Sequence, residues 1–153
     1  MFQNPSRLSR RLSLCAHALL VAISLQLVAA SDPGKPDFDA PQQFSSAPSG
    51  LKYRILRKSM GRKPTAADTV TVHYRGWLKD GREFDNSYKR SAPSSFSLER
   101  VIRGWAEGIQ LVSEGGMIEL EIPPQLGYGA RGDAGAIPPQ ATLHFQIELI
   151  QIQ

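Results

Sequence analysis

From Leu51 onward, apolar and polar residues take turns in short runs. Leu51-Lys-Tyr-Arg-Ile-Leu alternates, and Thr69 to Leu78 sets Val70, Val72 and Tyr74 on one face against Thr71 and His73 on the other. Ile118, Leu120 and Ile122 alternate with Glu119 and Glu121. Ala141 to Ile152 keeps the same period, with Ala141, Leu143, Phe145, Ile147 and Leu149 inward. Period two of this kind predicts strands of an antiparallel sheet with one dry face and one wet face. Asp80-Gly81 is a hairpin-turn dipeptide. One segment breaks the rule: Arg103 to Val112 spaces Trp105, Ile109 and Val112 as a helix does, and Gly115-Gly116 follows to end it. The pattern predicts an α+β domain, a curved antiparallel sheet wrapped around one short α-helix of about ten residues.

The chain before Leu51 has a different character. Met1 to Arg11 is polar and basic, Leu12 to Ala30 is apolar, and Val28 and Ala30 are small residues placed just before Ser31. This predicts a signal peptide over residues 1–30, cleaved after Ala30, and hence a periplasmic or extracellular protein. A membrane anchor formed by an uncleaved signal is the alternative, against which Cys15, His17, Ser24 and Gln26 dilute the apolar stretch. Arg10-Arg11 has the look of a twin-arginine export signal, but Ser13 stands where a large apolar residue is usual. Residues 31–48 are rich in Pro, Asp, Ser and Gln, with few apolar side chains to repay the entropy of ordering. They predict a flexible linker, too short and too Pro-rich for a dimerisation helix, so a monomer is expected. The folded domain is expected over 49–153.

Composition narrows the classes. The 153 residues, 41% hydrophobic and 21% charged, suit one globular domain and exclude a large multidomain enzyme or a wholly disordered chain. The net charge of +4 invites a nucleic-acid reading until it is divided by position. Arg7, Arg10 and Arg11 lie in residues 1–30 with no acid beside them, while all 14 acids follow, which leaves the body close to neutral. Nucleic acid is therefore not an expected partner. The lone Cys15 falls inside the signal, so no disulfide or thiolate metal site is expected after cleavage.

Conventional catalytic sets are missing from the sequence. It has no nucleophile elbow, no metal-ligand cluster and no phosphate loop. Gly127-Tyr-Gly-Ala-Arg-Gly carries dinucleotide-loop spacing but follows Pro123-Pro124 and precedes no helical pattern. His73 and His144 fall on polar strand faces and predict solvated surface histidines. What stands out is a set of apolar residues beside strand ends and loops: Tyr74, Phe84, Val101, Ile102, Trp105, Tyr128, Ile137 and Phe145, with Asp85 and Arg90 bringing charge next to them. A plain core is the simplest reading of any one of them. As a set in turn-rich sequence, they predict a pocket.

Five separated motifs then carry a resemblance. Val72-His73-Tyr74 with Gly76, Gly81 to Phe84-Asp85, Val101-Ile102-Arg-Gly104-Trp105 with Gly108, Leu126-Gly-Tyr128-Gly129, and Ile137-Pro138-Pro139 to Phe145 occur in order with little insertion. Over about residues 49 to 153 the chain resembles an FKBP-type peptidyl-prolyl cis-trans isomerase domain. The resemblance implies a half-barrel sheet around one helix with an apolar pocket between them. It implies Trp105 as the pocket floor, Tyr74, Phe84, Val101, Ile102, Ile137 and Phe145 as walls, and Tyr128 as a hydroxyl donor to a substrate carbonyl. Asp85 would sit at the rim, held by Tyr74 or Arg90, and the Ile102 backbone N–H would also face the ligand. Proline-containing polypeptides are the implied substrates, macrolides the implied inhibitors, folding of exported proteins the implied role, and no metal or cofactor is called for. An inactive chaperone or binding module on the same fold is the rival reading. Two departures concern the rim: Ser94 follows Pro93 where an aromatic is common, with Phe96 two further on, and Asp133 stands where some relatives have His. Both bear on substrate preference and macrolide affinity.

Overall fold

The computed structural model describes residues 34–153, so the expected signal peptide lies outside the described residues. In chain order the strands are β1 (Ser45–Ser46), β2 (Lys52–Arg57), β3 (Thr69–Leu78), β4 (Glu83–Asn86) and β5 (Ser94–Ser97), then helix α1 (Arg103–Ile109), then β6 (Met117–Ile122) and β7 (Leu143–Ile152). All seven strands join one antiparallel sheet in the order β1-β2-β6-β7-β3-β4, with β5 also paired to β3. Long strands β3 and β7 form its spine, from Val70 opposite Ile152 to Leu78 opposite Leu143. The other edge of β3 is shared: β5 takes residues 69–72 and β4 takes 75–77. Register shifts between Thr71 and Val72 and between Gly76 and Trp77 bend the strand, as bulges do.

The inward alternation holds. Val70, Val72, Tyr74, Ile118, Leu120, Ile122, Leu143, Phe145, Ile147 and Leu149 are all buried and pack with Trp105 and Ile109 of α1. The helix sits close on β6 because its sheet-facing positions are glycine. A Cβ at Gly104 would lie 2.5 Å from Ile122, and one at Gly108 2.6 Å from Leu120. On the wet face the register sets opposite charges across β2 and β6: Lys52 bonds Glu121 at 2.8 Å and Arg54 bonds Glu119 at 2.6 Å.

Three expectations change. The helix is seven residues long, ending at Ile109, and Leu111 and Val112 continue as tight turns bonded to Gly108 and Ile109. Val112 is still buried, so the periodicity read its burial correctly and its conformation wrongly. The histidines are not simply solvated. His73 stacks on Tyr88 at 4.7 Å with Nδ1 3.0 Å from Ser87 Oγ, and His144 stacks on Trp77 at 5.8 Å. The third concerns the expected linker: residues 34–48 are anchored on the sheet. Gly34 N–H donates to Glu148 Oε2 at 2.9 Å, and Gln146 Nε2 donates to the Gly34 carbonyl at 3.2 Å. Arg57 donates to the Lys35 carbonyl at 3.2 Å, Asp37 N–H to the Leu56 carbonyl at 2.7 Å, and Ser45–Ser46 add a short strand beside β2. Directed hydrogen bonds to buried polar side chains hold this segment, and the apolar count of the segment does not register them.

Candidate active site

The period-two rule sends Tyr74 of β3 and Phe145 of β7 to the dry face, and the first turn of α1 brings Trp105 against both. Trp105 meets Tyr74 at 5.1 Å and Phe145 at 5.2 Å between ring centroids, both edge-to-face. Phe84 of β4 stands edge-on to Phe145 at 5.4 Å. These rings line a cavity of about 430 Å³ with the Trp105 indole in its wall. A cavity of that size suits a small organic group or a peptide segment. Trp105, Tyr74 and Phe145 are each only 5% exposed, so the floor is nearly dry. The Trp105 indole N–H is buried with no hydrogen-bond partner among the described residues.

Nine of the ten expected residues line this cavity: Tyr74, Phe84, Asp85, Val101, Ile102, Trp105, Tyr128, Ile137 and Phe145. Arg90 does not; it supports Asp85 from beside the cavity. Its Nη1 donates to Asp85 Oδ1 at 2.5 Å and its Nη2 to the Tyr74 hydroxyl oxygen at 3.0 Å. Tyr74 O–H donates in turn to Asp85 Oδ2 at 2.5 Å, and Asn86 N–H to Asp85 Oδ1 at 2.7 Å. Asp85 is thus held by both of its expected partners. Burial works to raise the Asp85 pKa, but the bonds from Tyr74 and Arg90 and the Arg90 charge outweigh it and hold the carboxyl below its usual range. Tyr74 moves the other way, raised first by burial and then by its bond to Asp85.

The opposite rim offers donors. The Tyr128 hydroxyl has no hydrogen-bond partner among the described residues, and the residue is 39% exposed. Burial, then the charges of Asp133 and Asp85, push its pKa up and keep it protonated. The Ile102 N–H, at the start of α1, meets no acceptor among the described residues, while its carbonyl accepts from Trp105 and Ala106. The loop carrying Tyr128 and Ile137 is fixed by its own backbone: Asp133 and Ile137 exchange two hydrogen bonds of 2.9 Å, and Gln140 N–H reaches the Gly129 carbonyl at 2.9 Å.

Arg100 and Ala136 are lining residues that the sequence did not single out, and Phe96 and Asp133, which it placed only as departures at the rim, line the cavity as well. Phe96 matters most, standing edge-on to Tyr74 at 5.9 Å and to Trp105 at 5.4 Å. It supplies a ring on the side where Ser94 does not, and the register of β5, with Phe96 opposite Val70, brings it there. Ser87 was missed too. It is fully buried, and its Oγ accepts from Tyr74 N–H at 2.7 Å and donates to the Tyr74 carbonyl at 3.1 Å, pinning the backbone under the ring. Among the described residues no group of three or more His, Cys, Asp or Glu is placed to hold a metal ion.

The chain is 49% identical over 104 residues to the FKBP-type peptidyl-prolyl cis-trans isomerase FkpA of Escherichia coli K12, covering 68% of this chain and 38% of that one. It is 46% identical over 99 residues to an FK506-binding protein of Neisseria meningitidis serogroup C, covering 63% of this chain and 91% of that one. The crystal structure of FkpA from Escherichia coli superposes with a TM-score of 0.71 at 44% identity, over 74% of this chain and 53% of that one. The chain thus spans about two fifths of the FkpA sequence it matches. The model of the FKBP-type peptidyl-prolyl cis-trans isomerase family matches residues 60–150, the stretch that contributes every lining residue of the cavity, and the chain belongs to that family.

Proposed function

We propose that the protein is a peptidyl-prolyl cis-trans isomerase that turns X–Pro bonds of polypeptides in the cavity over Trp105. The observation that carries this reading is the cavity itself: a dry floor of edge-to-face rings, with free donors at Tyr128 and Ile102 on one rim and an ionised Asp85 on another.

Rotation about an X–Pro bond interrupts amide resonance, with a barrier near 20 kcal/mol. No covalent bond forms or breaks, so the task is to favour the twisted amide over the planar one. Twisting localises the nitrogen lone pair and makes the amide less polar. A water-poor aromatic cavity penalises the planar form more than the twisted form, a differential interaction of the kind that lowers a barrier. The proline ring packs over Trp105 between Tyr74, Phe84, Phe96 and Phe145. Hydrogen bonds from Tyr128 O–H and Ile102 N–H hold the flanking carbonyls while the proline side turns. Asp85, kept ionised by Tyr74 and Arg90, fixes the orientation of the Tyr74 ring and the polarity of the rim.

The same cavity is the proposed site for a macrolide of the FK506 type, in keeping with the name of the meningococcal relative. Export by residues 1–30, action in the periplasm on exported proteins that fold slowly at proline, and a monomeric state complete the reading. No helix among the described residues is long and apolar enough to cross a membrane. The test is proton NMR exchange on a proline tetrapeptide with the purified protein. Accelerated exchange that FK506 abolishes supports the reading. Exchange at the spontaneous rate overturns it in favour of a binding module.

A further inference from the structure

A second cavity of about 280 Å³ adjoins the first and shares Asp133, Ala136 and Ile137 with it. Two arginines from different parts of the chain meet there. Arg82 follows the Asp80-Gly81 turn between β3 and β4, fixed by Leu78 N–H to its carbonyl at 2.9 Å and by its own N–H to Asp80 Oδ1 at 3.0 Å. Arg131 comes from the loop that carries Tyr128 and Ile137. Resting on the isomerase reading, we propose that this second cavity binds the continuing chain of the substrate and selects polypeptides with acidic side chains within about three residues of the proline.

The argument is one of charge and reach. Arg54, Arg57, Arg62 and Arg90 are each paired with a carboxylate, whereas Arg82 and Arg131 make no ion pair among the described residues. Arg100, across the first cavity, makes none either, and Asp85 is already matched by Arg90. Asp133 is the one acid lining both cavities, so the rim holds three unmatched cations against one anion, on a domain otherwise close to neutral. An extended chain rises about 3.3 Å per residue, so side chains two or three residues from a proline seated over Trp105 reach the adjoining space. Guanidinium groups meet carboxylates as planar two-pronged donors. Unmatched cations at a cleft also draw anionic ligands toward it, an attraction that salt screens.

The experiment compares four otherwise identical peptides by NMR exchange: one neutral, with Gln flanking Leu-Pro, one with Glu before it, one with Glu after it, and one with Lys in both flanks. At low ionic strength one Glu peptide is expected to exceed the neutral peptide in kcat/KM by roughly three- to tenfold, as two exposed ion pairs allow, and the Lys peptide to fall below it. The advantage shrinks as salt is added. In the R82Q/R131Q variant the Glu and neutral peptides turn over equally, and in R82E/R131E the order of Glu and Lys reverses. Equal turnover of all four peptides, or a Glu advantage that survives in R82Q/R131Q, overturns the inference and leaves the isomerase reading standing. Failure to turn over even the neutral peptide sinks both.

Discussion

Tyr74 donates its hydroxyl proton to Asp85 across 2.5 Å, and the same ring stands edge-on to Trp105 at 5.1 Å. One side chain therefore couples the charged rim of the cavity to its floor. Tyr74→Phe keeps the ring contacts and deletes the link, leaving Asp85 to Arg90 and the Asn86 N–H. A hydrogen bond to a charged group is worth about 1.5–3 kcal/mol. We expect kcat/KM for a Leu-Pro peptide to fall about tenfold and the melting temperature to fall by several degrees, and Asp85→Ala to weaken activity by a similar factor. NMR exchange and thermal circular dichroism read the two effects separately. Full activity in both variants would refute the rim role.

The pH profile follows from the same triangle. Folding holds the Asp85 carboxyl below its usual range and raises both Tyr74 and Tyr128. Across about pH 5 to 9 these three groups keep their protonation, so turnover is expected to be flat there. The depressed carboxyl contributes stability that is present above its unfolded pKa and is lost as pH falls through its lower folded value. Glu148 has the same sign: burial works to raise it, but Arg57, the Gly34 N–H and Tyr88 outweigh that. Stability and activity should therefore decline together only below about pH 4. A step in turnover between pH 5 and 9 would refute this assignment.

Gly76 lies under the two rings of Phe84 and Phe145, and a Cβ there would stand 2.7 Å from each. Gly76→Ala has to push those rings toward the space above Trp105. The expected result is at least a tenfold loss of isomerase activity together with a loss of about 1–3 kcal/mol in stability from overpacking, measured by NMR exchange and urea titration. Loss of stability with turnover intact would mean that the rings relax away from the cavity.

The far face of the sheet yields an independent prediction. Glu148 is 7% exposed and binds Arg57 at 2.6 Å, the Tyr88 hydroxyl at 3.0 Å and the Gly34 N–H at 2.9 Å. Alternation along β7 turns it away from Phe145. Glu148→Gln breaks a buried ion pair, which costs about 3 kcal/mol or more, while the cavity is untouched. Urea denaturation should register the loss, and kcat/KM at 15 °C should stay within twofold of the parent, a margin that separates support of the fold from catalysis.

What the sequence disclosed depended on which force holds each part. Strands β3, β6 and β7 were legible because burial on one face imposes period two, and Tyr74, Phe145 and Trp105 follow from the same rule. Phe96 was not, because Ser94–Ser97 contains one apolar residue and so has no period to read; only pairing with β3 aims it. The anchoring of Gly34 was hidden for another reason: its partners Gln146 and Glu148 lie more than a hundred positions away, and hydrogen bonds to a peptide backbone leave no trace in side-chain hydropathy. Arg90 holds Asp85 as the resemblance implies, but its guanidinium is drawn to the carboxylate and the phenol oxygen and so stays off the cavity wall.

The match to the family model starts at residue 60, yet β1, β2 and the Gly34 contacts all come earlier. A laboratory fragment trimmed to the borders of that match would bare the outer edge of β6, a template for unwanted strand addition between molecules, and would strip Glu148 of its Arg57 and Gly34 bonds. The span matched by the family model is thus shorter than the smallest stretch worth expressing, which has to reach back to Gly34.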